Sequence, residues 1–95
     1  MFSGIIKTAV EHGAEKVILF GSRAKGTDHE HSDIDICIIA KTKCKRRLAA
    51  TISAEIDCDI PVDILIYTTD EWNECIQDEM SFATKILKEG TVLYG

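Results

Sequence analysis

Apolar residues alternate between helical and strand-like spacing along the chain, and this pattern predicts a series of short helices and strands. Apolar positions at helical spacing from residue 5 to residue 10 predict a helix over residues 3–12. Residues 16–20 form a nearly continuous apolar run, typical of a strand buried on both faces, which ends at Gly21. The polar segment 22–32 predicts a helical turn followed by a loop.

The rest of the chain continues this alternation. The later predicted elements are a strand over residues 33–39, a helix over 43–57, a strand over 62–67, a helix opened by a capping box at Thr68 and Glu71, a short helix that stops at Gly90, and a strand over 91–94. The helix over 43–57 has the length that a parallel crossover needs. With the first strand antiparallel to the second, the pattern predicts one α/β (α+β) domain over residues 1–95. Its core is a small mixed sheet of three to four strands flanked by helices.

Composition limits the classes of protein that fit this fold. The chain has 95 residues, 45% of them hydrophobic and 28% charged, which is typical of an ordinary globular domain. No apolar run has the length of a membrane helix, and no signal-peptide pattern is present, so we expect no membrane association. The net charge of −5 argues against direct nucleic-acid binding by bulk electrostatics. The four cysteines show no two-residue spacing, so we expect reduced thiols in the cytoplasm.

Three aspartates stand in the most apolar segments, Asp33 and Asp35 in the second predicted strand and Asp63 in the third. Alternation along a strand places Asp33 and Asp35 on one face, close enough to converge on one divalent cation. Carboxylate oxygens favour Mg²⁺ or Mn²⁺, with Asp63 as a third ligand or as the base that accepts a proton from a hydroxyl. The competing interpretation, three solvated residues at strand beginnings, leaves the alternation and its repetition in the third strand unexplained.

A glycine turn accompanies the aspartates. Gly21-Ser22 ends a buried strand and starts a predicted helical turn, where glycine lets a phosphate approach the backbone and free amides bind anions. Ser22 can add a hydroxyl, and Arg23 or Lys25 a cation. A plain strand-to-helix turn would be the simpler interpretation if this motif stood alone. The predicted topology, however, gathers Gly21 and Ser22 with the three aspartates at one edge of the sheet.

These motifs together resemble a known family. Gly21-Ser22, ten further residues, Asp33-x-Asp35 and a later Asp63 look like the nucleotidyltransferase signature of the polymerase-β superfamily. More narrowly, the chain resembles the minimal nucleotidyltransferases (MNT), the antitoxin half of HEPN/MNT toxin–antitoxin pairs. Two further strings fit that family, residues 19–26 and residues 86–94. The resemblance covers essentially the whole chain and implies the polymerase-β-like nucleotidyltransferase fold.

The resemblance also implies an activity, which is the transfer of AMP from ATP to an acceptor hydroxyl. Asp33 and Asp35 would hold two Mg²⁺ ions, with Mn²⁺ as the alternative, and Asp63 would bind one metal and activate the acceptor. Gly21 and Ser22 would cradle the β- and γ-phosphates. One departure from the family pattern lies nearby at residue 25, where many relatives have arginine and this chain has lysine. Lysine keeps the positive charge but cannot form the paired hydrogen bonds of a guanidinium group.

The resemblance implies a partner as well. In HEPN/MNT pairs the acceptor is a tyrosine of the HEPN-domain toxin, a ribonuclease that adenylylation silences, so the chain would act as an antitoxin within a hetero-oligomer. Two alternatives stay open at this point. One is a catalytically vestigial binding module that neutralises its partner by contact alone. The other is nucleotidyl transfer to a small molecule such as an aminoglycoside, which the short chain disfavours.

Three weaker signals have simpler interpretations. Five cations lie within residues 41–47, where they oppose the dipole at a helix start and could attract an anion or an acidic partner. A solvated face is the simpler interpretation of that run. His29 and His31 flank the aspartate pair as potential metal ligands, although an exposed polar loop explains them as well. Trp72, with apolar neighbours on one helical face, is predicted to pack in the core.

Overall fold

A computed structural model describes residues 2–21, 33–57 and 59–95. The described elements are helix α1 (Ser3–Glu11), strand β1 (Ala14–Phe20), strand β2 (Ile34–Ala40), helix α2 (Lys45–Glu55), strand β3 (Val62–Tyr67), helix α3 (Thr69–Cys75), helix α4 (Phe82–Glu89) and strand β4 (Thr91–Tyr94). Every helix and strand predicted within the described residues is present. The helical turn and loop predicted for residues 22–32 lie outside them.

The strands form one mixed sheet in the order β3-β2-β1-β4. Strands β2 and β3 are parallel and are joined through α2, whereas β1 runs antiparallel to both β2 and β4. This arrangement confirms the predicted mixed sheet and the predicted antiparallel relation of the first two strands. Consequently, the end of β1 lies beside the beginnings of β2 and β3.

Each face of the sheet carries its own hydrophobic cluster. Ile34, Ile36 and Ile38 of β2 pack with residues of α1 and α2, while Cys37 and Ile39 face α3 and α4. Both faces of the central strands are therefore covered, which explains why the sequence of these strands is apolar almost without interruption. Burial raises the pKa of the Cys37 thiol to about 12, so this cysteine packs as a small uncharged side chain.

Several element boundaries lie one or two residues from the predicted ones, and the starts of β1 and α2 have identifiable local causes. Strand β1 begins two residues earlier than predicted, because Ala14 pairs with Ala40 across an irregularity in the register that precedes Lys16. Helix α2 begins two residues later than predicted. There the Cys44 backbone N–H donates to Thr42 Oγ1 at 3.2 Å, a local hydrogen bond that competes with helix formation.

Helices α3 and α4 are fixed by specific contacts. The predicted capping box is present, with the Glu71 backbone N–H donating to Thr68 Oγ1 at 3.1 Å and the Thr68 backbone N–H donating to Glu71 Oε1 at 3.0 Å. Trp72 is buried, as predicted, and its ring lies 5.3 Å from that of Tyr67. A Cβ on Gly90 would lie 2.9 Å from the Leu19 carbonyl oxygen, so α4 ends close against β1.

Within the part of the chain that the structure describes, no helix combines the length and the apolar character that a bilayer crossing requires.

Candidate active site

Three residues from neighbouring strands lie side by side where β1 ends and β2 and β3 begin. Phe20 is opposite Asp35 in the antiparallel pair β1–β2, and Asp35 is opposite Asp63 in the parallel pair β2–β3. Residues directly opposite one another in adjacent strands share one face of a sheet. The row Phe20–Asp35–Asp63 therefore crosses three strands on one face, the face that α3 and α4 cover.

The carboxylates of this row repel one another. Asp33, one residue before β2, and Asp63 are exposed, whereas Asp35 is partly buried. Burial, and then the charges of Asp63 and Asp33, raises the pKa of the Asp35 carboxyl. Like charges held together resist ionising at the same time. A divalent cation among these carboxylates would remove the repulsion, so the edge has the electrostatics of a cation site.

The backbone of Gly21 lies against the Asp35 carboxylate. Its φ is +76°, in the left-handed region that favours glycine. A Cβ at this position would also overlap Asp35 Oδ2. The backbone at Gly21 can therefore lie so close to Asp35 only because residue 21 has no side chain.

The donor set suits a metal whose coordination is completed by a substrate. Among residues 2–21, 33–57 and 59–95, no group of three His, Cys, Asp or Glu side chains is arranged to hold a metal ion without further ligands. Mg²⁺ in proteins is commonly bound by one or two carboxylates together with substrate phosphates, and keeps several waters. The opposed pair Asp35 and Asp63, with Asp33 beside it, supplies hard oxygen ligands of this kind.

The structure thus brings together four of the residues singled out in the sequence, which are Gly21, Asp33, Asp35 and Asp63. The other predicted phosphate-binding residues, Ser22, Arg23 and Lys25, lie outside the described residues, as do His29 and His31.

The basic run lies at the other end of β2. Its residues follow Ala40, the last residue of the strand, whereas Asp35 stands near the start, roughly 17 Å away at the rise of an extended strand. The five cations are exposed, and Lys45 pairs with Glu71 at 3.0 Å. These positions agree with a solvated face and keep the run apart from the carboxylates.

One feature of the site was missed from the sequence. A cavity of about 170 Å³ adjoins Gly21, and its described walls are Phe20, Gly21, Phe82, Lys85, Ile86 and Glu89. In the sequence, Phe20 belongs to a buried strand and Phe82 to the apolar pattern of a short helix. The position of Phe20 immediately before the glycine turn was the one local signal, because the contact with Phe82 spans 62 positions of the chain.

Two similar proteins come from Methanocaldococcus jannaschii (strain ATCC 43067), and both are named as protein adenylyltransferases. The first is 29% identical over 93 residues, covering 98% of this chain and 91% of the relative. The second is 56% identical over 32 residues, covering 34% of this chain and 22% of the relative. The first similarity therefore extends over nearly the full length of both proteins.

Solved structures show the same fold. A toxin–antitoxin crystallised with AMP-PNP matches with a TM-score of 0.64 and 26% identity, over 97% of this chain and 71% of the other. A mutant form of the toxin–antitoxin MntA-HpeT matches with a TM-score of 0.68 and 23% identity, over 96% of this chain and 70% of the other. A protein named as a nucleotidyltransferase from Sulfolobus solfataricus matches with a TM-score of 0.58 and 22% identity, over 93% of this chain and 71% of the other.

The family assignment follows from the match along the chain. Residues 4–95 match the family described as Polymerase beta, Nucleotidyltransferase, a range that includes the glycine turn and all three aspartates. The resemblance found in the motifs is thereby confirmed, together with the predicted fold and the nucleotidyltransferase class of enzyme. The chain belongs to the polymerase beta nucleotidyltransferase family.

Proposed function

We propose that this chain transfers AMP from ATP to a tyrosine hydroxyl of a HEPN-domain toxin in the cytoplasm, with Mg²⁺ as the metal and Mn²⁺ as the alternative, and so acts as an antitoxin. The observation that carries the proposal is the placement of Asp35 opposite Asp63, with the Gly21 backbone packed against the Asp35 carboxylate. This placement provides acidic metal ligands and a site of close backbone approach at one point of the sheet.

The aspartates have distinct parts in the proposed reaction. When bound, divalent ions would neutralise the charge of the triphosphate and polarise the α-phosphorus for in-line attack. Asp33 and Asp35 would hold these ions. Asp63, exposed at the start of β3, would bind one ion and accept the proton of the attacking hydroxyl. The acceptor oxygen forms a bond to the α-phosphorus, the bond to the bridging α–β oxygen breaks, and pyrophosphate leaves.

The glycine turn holds the other end of the triphosphate in this proposal. The backbone at Gly21 allows the β- and γ-phosphates to approach closely, and Ser22 adds a hydroxyl donor. Arg23 and Lys25 balance the negative charge of the same phosphates. Lysine supplies a point charge there, where arginine would supply a two-pronged donor.

The named relatives support the choice of acceptor and partner. The relative that aligns with nearly the whole chain is named as a protein adenylyltransferase. Two structures with this fold are of toxin–antitoxins, one of them with AMP-PNP. A toxin partner would also supply the acceptor hydroxyl. The HEPN class of that toxin and the tyrosine acceptor follow from the resemblance to minimal nucleotidyltransferases.

The proposal is tested by label transfer from α-labelled ATP to the purified product of the adjacent gene. Asp33→Asn and Asp35→Asn remove metal-binding charge with little change in shape, so we expect transfer to fall by at least about 100-fold. Asp70→Asn, at an exposed aspartate in α3, is the matched control and should transfer label normally. Unchanged transfer by the two site variants would refute the proposal.

The same variants test the alternative of a vestigial binding module. A module that acts by contact alone would still suppress the toxin after Asp35→Asn, with no label on the toxin in any variant. A small-molecule transferase would label an added hydroxyl compound and leave the toxin unlabelled.

A further inference from the structure

The cavity beside Gly21 continues the candidate active site toward α4. It lies on the face of the sheet that carries Asp35, because Phe20 and Asp35 are direct neighbours in the register of β1 and β2. Gly21 belongs both to the cavity wall and to the backbone that contacts Asp35. The cavity and the carboxylates therefore lie on either side of Gly21, on one face of the sheet.

Two aromatic rings, those of Phe20 and Phe82, stand in the described part of the cavity wall. The rings of Phe20 and Phe82 lie 5.9 Å apart and are nearly perpendicular, at 86°. Phe82 is 52% exposed, although it stands at the first position of a helix that buries Ala83 and Ile86. An exposed aromatic ring at the rim of a cavity offers its face to a flat partner, and burying that face would be favourable.

The size and chemistry of the cavity favour one part of a nucleotide. Its volume of about 170 Å³ is below the range of roughly 300–1,000 Å³ that encloses a whole drug-sized ligand. The phosphates of a nucleotide would be held with metal at the carboxylates. The cavity would then be open to the flat, uncharged nucleobase at the other end of the nucleotide. Bases stack on aromatic side chains because every base has a π-face.

We infer that the Phe20–Phe82 cavity holds the nucleobase of the donor nucleotide, with Phe82 as the stacking residue. Lys85 and Glu89, one helical turn apart in α4, are the charged groups in the described wall and would face the edge of the base. This inference rests on the proposed function, because it assigns the base end of the molecule whose triphosphate the carboxylates and the glycine turn would hold.

The test compares a probe that has a base with one that lacks it. Isothermal titration of the purified chain with Mg²⁺ would use α,β-methylene-ATP, which the proposed reaction cannot cleave, and inorganic triphosphate. Phe82→Ala should weaken binding of the ATP analogue by about 5- to 150-fold, the range of a lost base–aromatic stack. Binding of inorganic triphosphate should stay within about twofold. Phe82→Trp should restore binding of the analogue.

A control on the same helix separates stacking from general damage. Leu87 is 38% exposed and does not line the cavity, so Leu87→Ala should bind both probes as the unmodified chain does.

Equal binding of the analogue by Phe82→Ala and the unmodified chain would overturn the inference and leave the proposed function standing. Equal weakening of both probes would also overturn it, because the loss would not concern the base. Failure of the unmodified chain to bind either probe would refute the proposed function, and the inference with it.

Discussion

At the residue scale, Asp35 combines features that are unfavourable for folding and useful for metal binding. Its carboxylate is partly buried, stands opposite Asp63 and has a raised pKa. Like charges directly opposite one another in a sheet destabilise it. Gly21 increases the crowding by bringing its backbone against the same carboxylate. A cation bound among these carboxylates would offset their repulsion and so stabilise the folded protein.

The repulsion predicts that Asp35→Asn stabilises the metal-free protein. Removing the charge relieves the opposition to Asp63, so the free energy of unfolding in EDTA at pH 7 should rise by about 0.5 kcal/mol. Urea denaturation measures this difference. Asp70→Asn, which has no aspartate opposite it in a strand, should show no such gain. A less stable Asp35→Asn variant would show that the carboxylate contributes favourable contacts instead.

Gly21→Ala should harm both the fold and the site. An alanine at this position would have to adopt a φ near +76°, and its methyl group would overlap the Asp35 carboxylate. We therefore expect the free energy of unfolding to fall by about 1–3 kcal/mol. Gly4 provides the control, because nothing lies within 4 Å of a Cβ built there. Gly4→Ala in α1 should be neutral or slightly stabilising in the same urea titration. Equal stability of the two variants would contradict the account of Gly21.

At the scale of elements, α3 and α4 are held in place by their first residues. The capping box of Thr68 and Glu71 begins α3, and Lys45 reaches Glu71 from α2. Ser81 caps α4 by accepting from the Thr84 backbone N–H at 3.1 Å. These contacts orient the two helices over the face of the sheet that carries the Phe20–Asp35–Asp63 row.

The capping box predicts a pH-dependent contribution to stability. Hydrogen bonds from the Thr68 backbone, and then from Lys45, lower the pKa of Glu71 from its usual 4.5. A lowered pKa means that the ionised form stabilises the native state, fully above the unfolded pKa and less as the pH falls through the folded pKa. Glu71→Gln should therefore lower the free energy of unfolding by about 0.5 kcal/mol at pH 7. In acid, where Glu71 is protonated, the free energies of unfolding of the variant and of the unmodified chain should converge.

Denaturant titrations between pH 7 and pH 3 measure this effect. Glu74→Gln on the same helix is the control, because Glu74 takes no part in the capping box. Its substitution should leave the dependence of the unfolding free energy on pH unchanged. A gap between the Glu71→Gln variant and the unmodified chain that stays constant down to pH 3 would show that the charge of Glu71 is irrelevant to the cap.

At the scale of the whole molecule, the parts that follow from short-range pattern were predictable. The period of two in β2 fixed which residues share a face with Asp35, and the length of the connection to β3 fixed the parallel pairing. Together with the antiparallel pairing expected for the first two strands, these two facts place Gly21 and the three aspartates at one edge of the sheet. What the sequence did not reveal depends on distant contacts. The start of β1 depends on its pairing with Ala40, and the cavity depends on Phe20 meeting Phe82.

The architecture has a functional consequence at this scale. Helices cover both faces of the sheet, so the edge where β1 ends and β2 and β3 begin is where the described carboxylates reach solvent. The described residues provide metal ligands there and an aromatic cavity beside them. In the proposed reaction the acceptor comes from a second protein, which must approach this edge.

The most direct test of this account is the intact mass of the toxin partner after incubation with the chain, ATP and Mg²⁺. We predict that the toxin gains the mass of one or more AMP units, and that the gain disappears with EDTA or with the Asp35→Asn variant. A toxin that is suppressed while its mass stays unchanged would contradict the account and would show that the chain acts by contact alone.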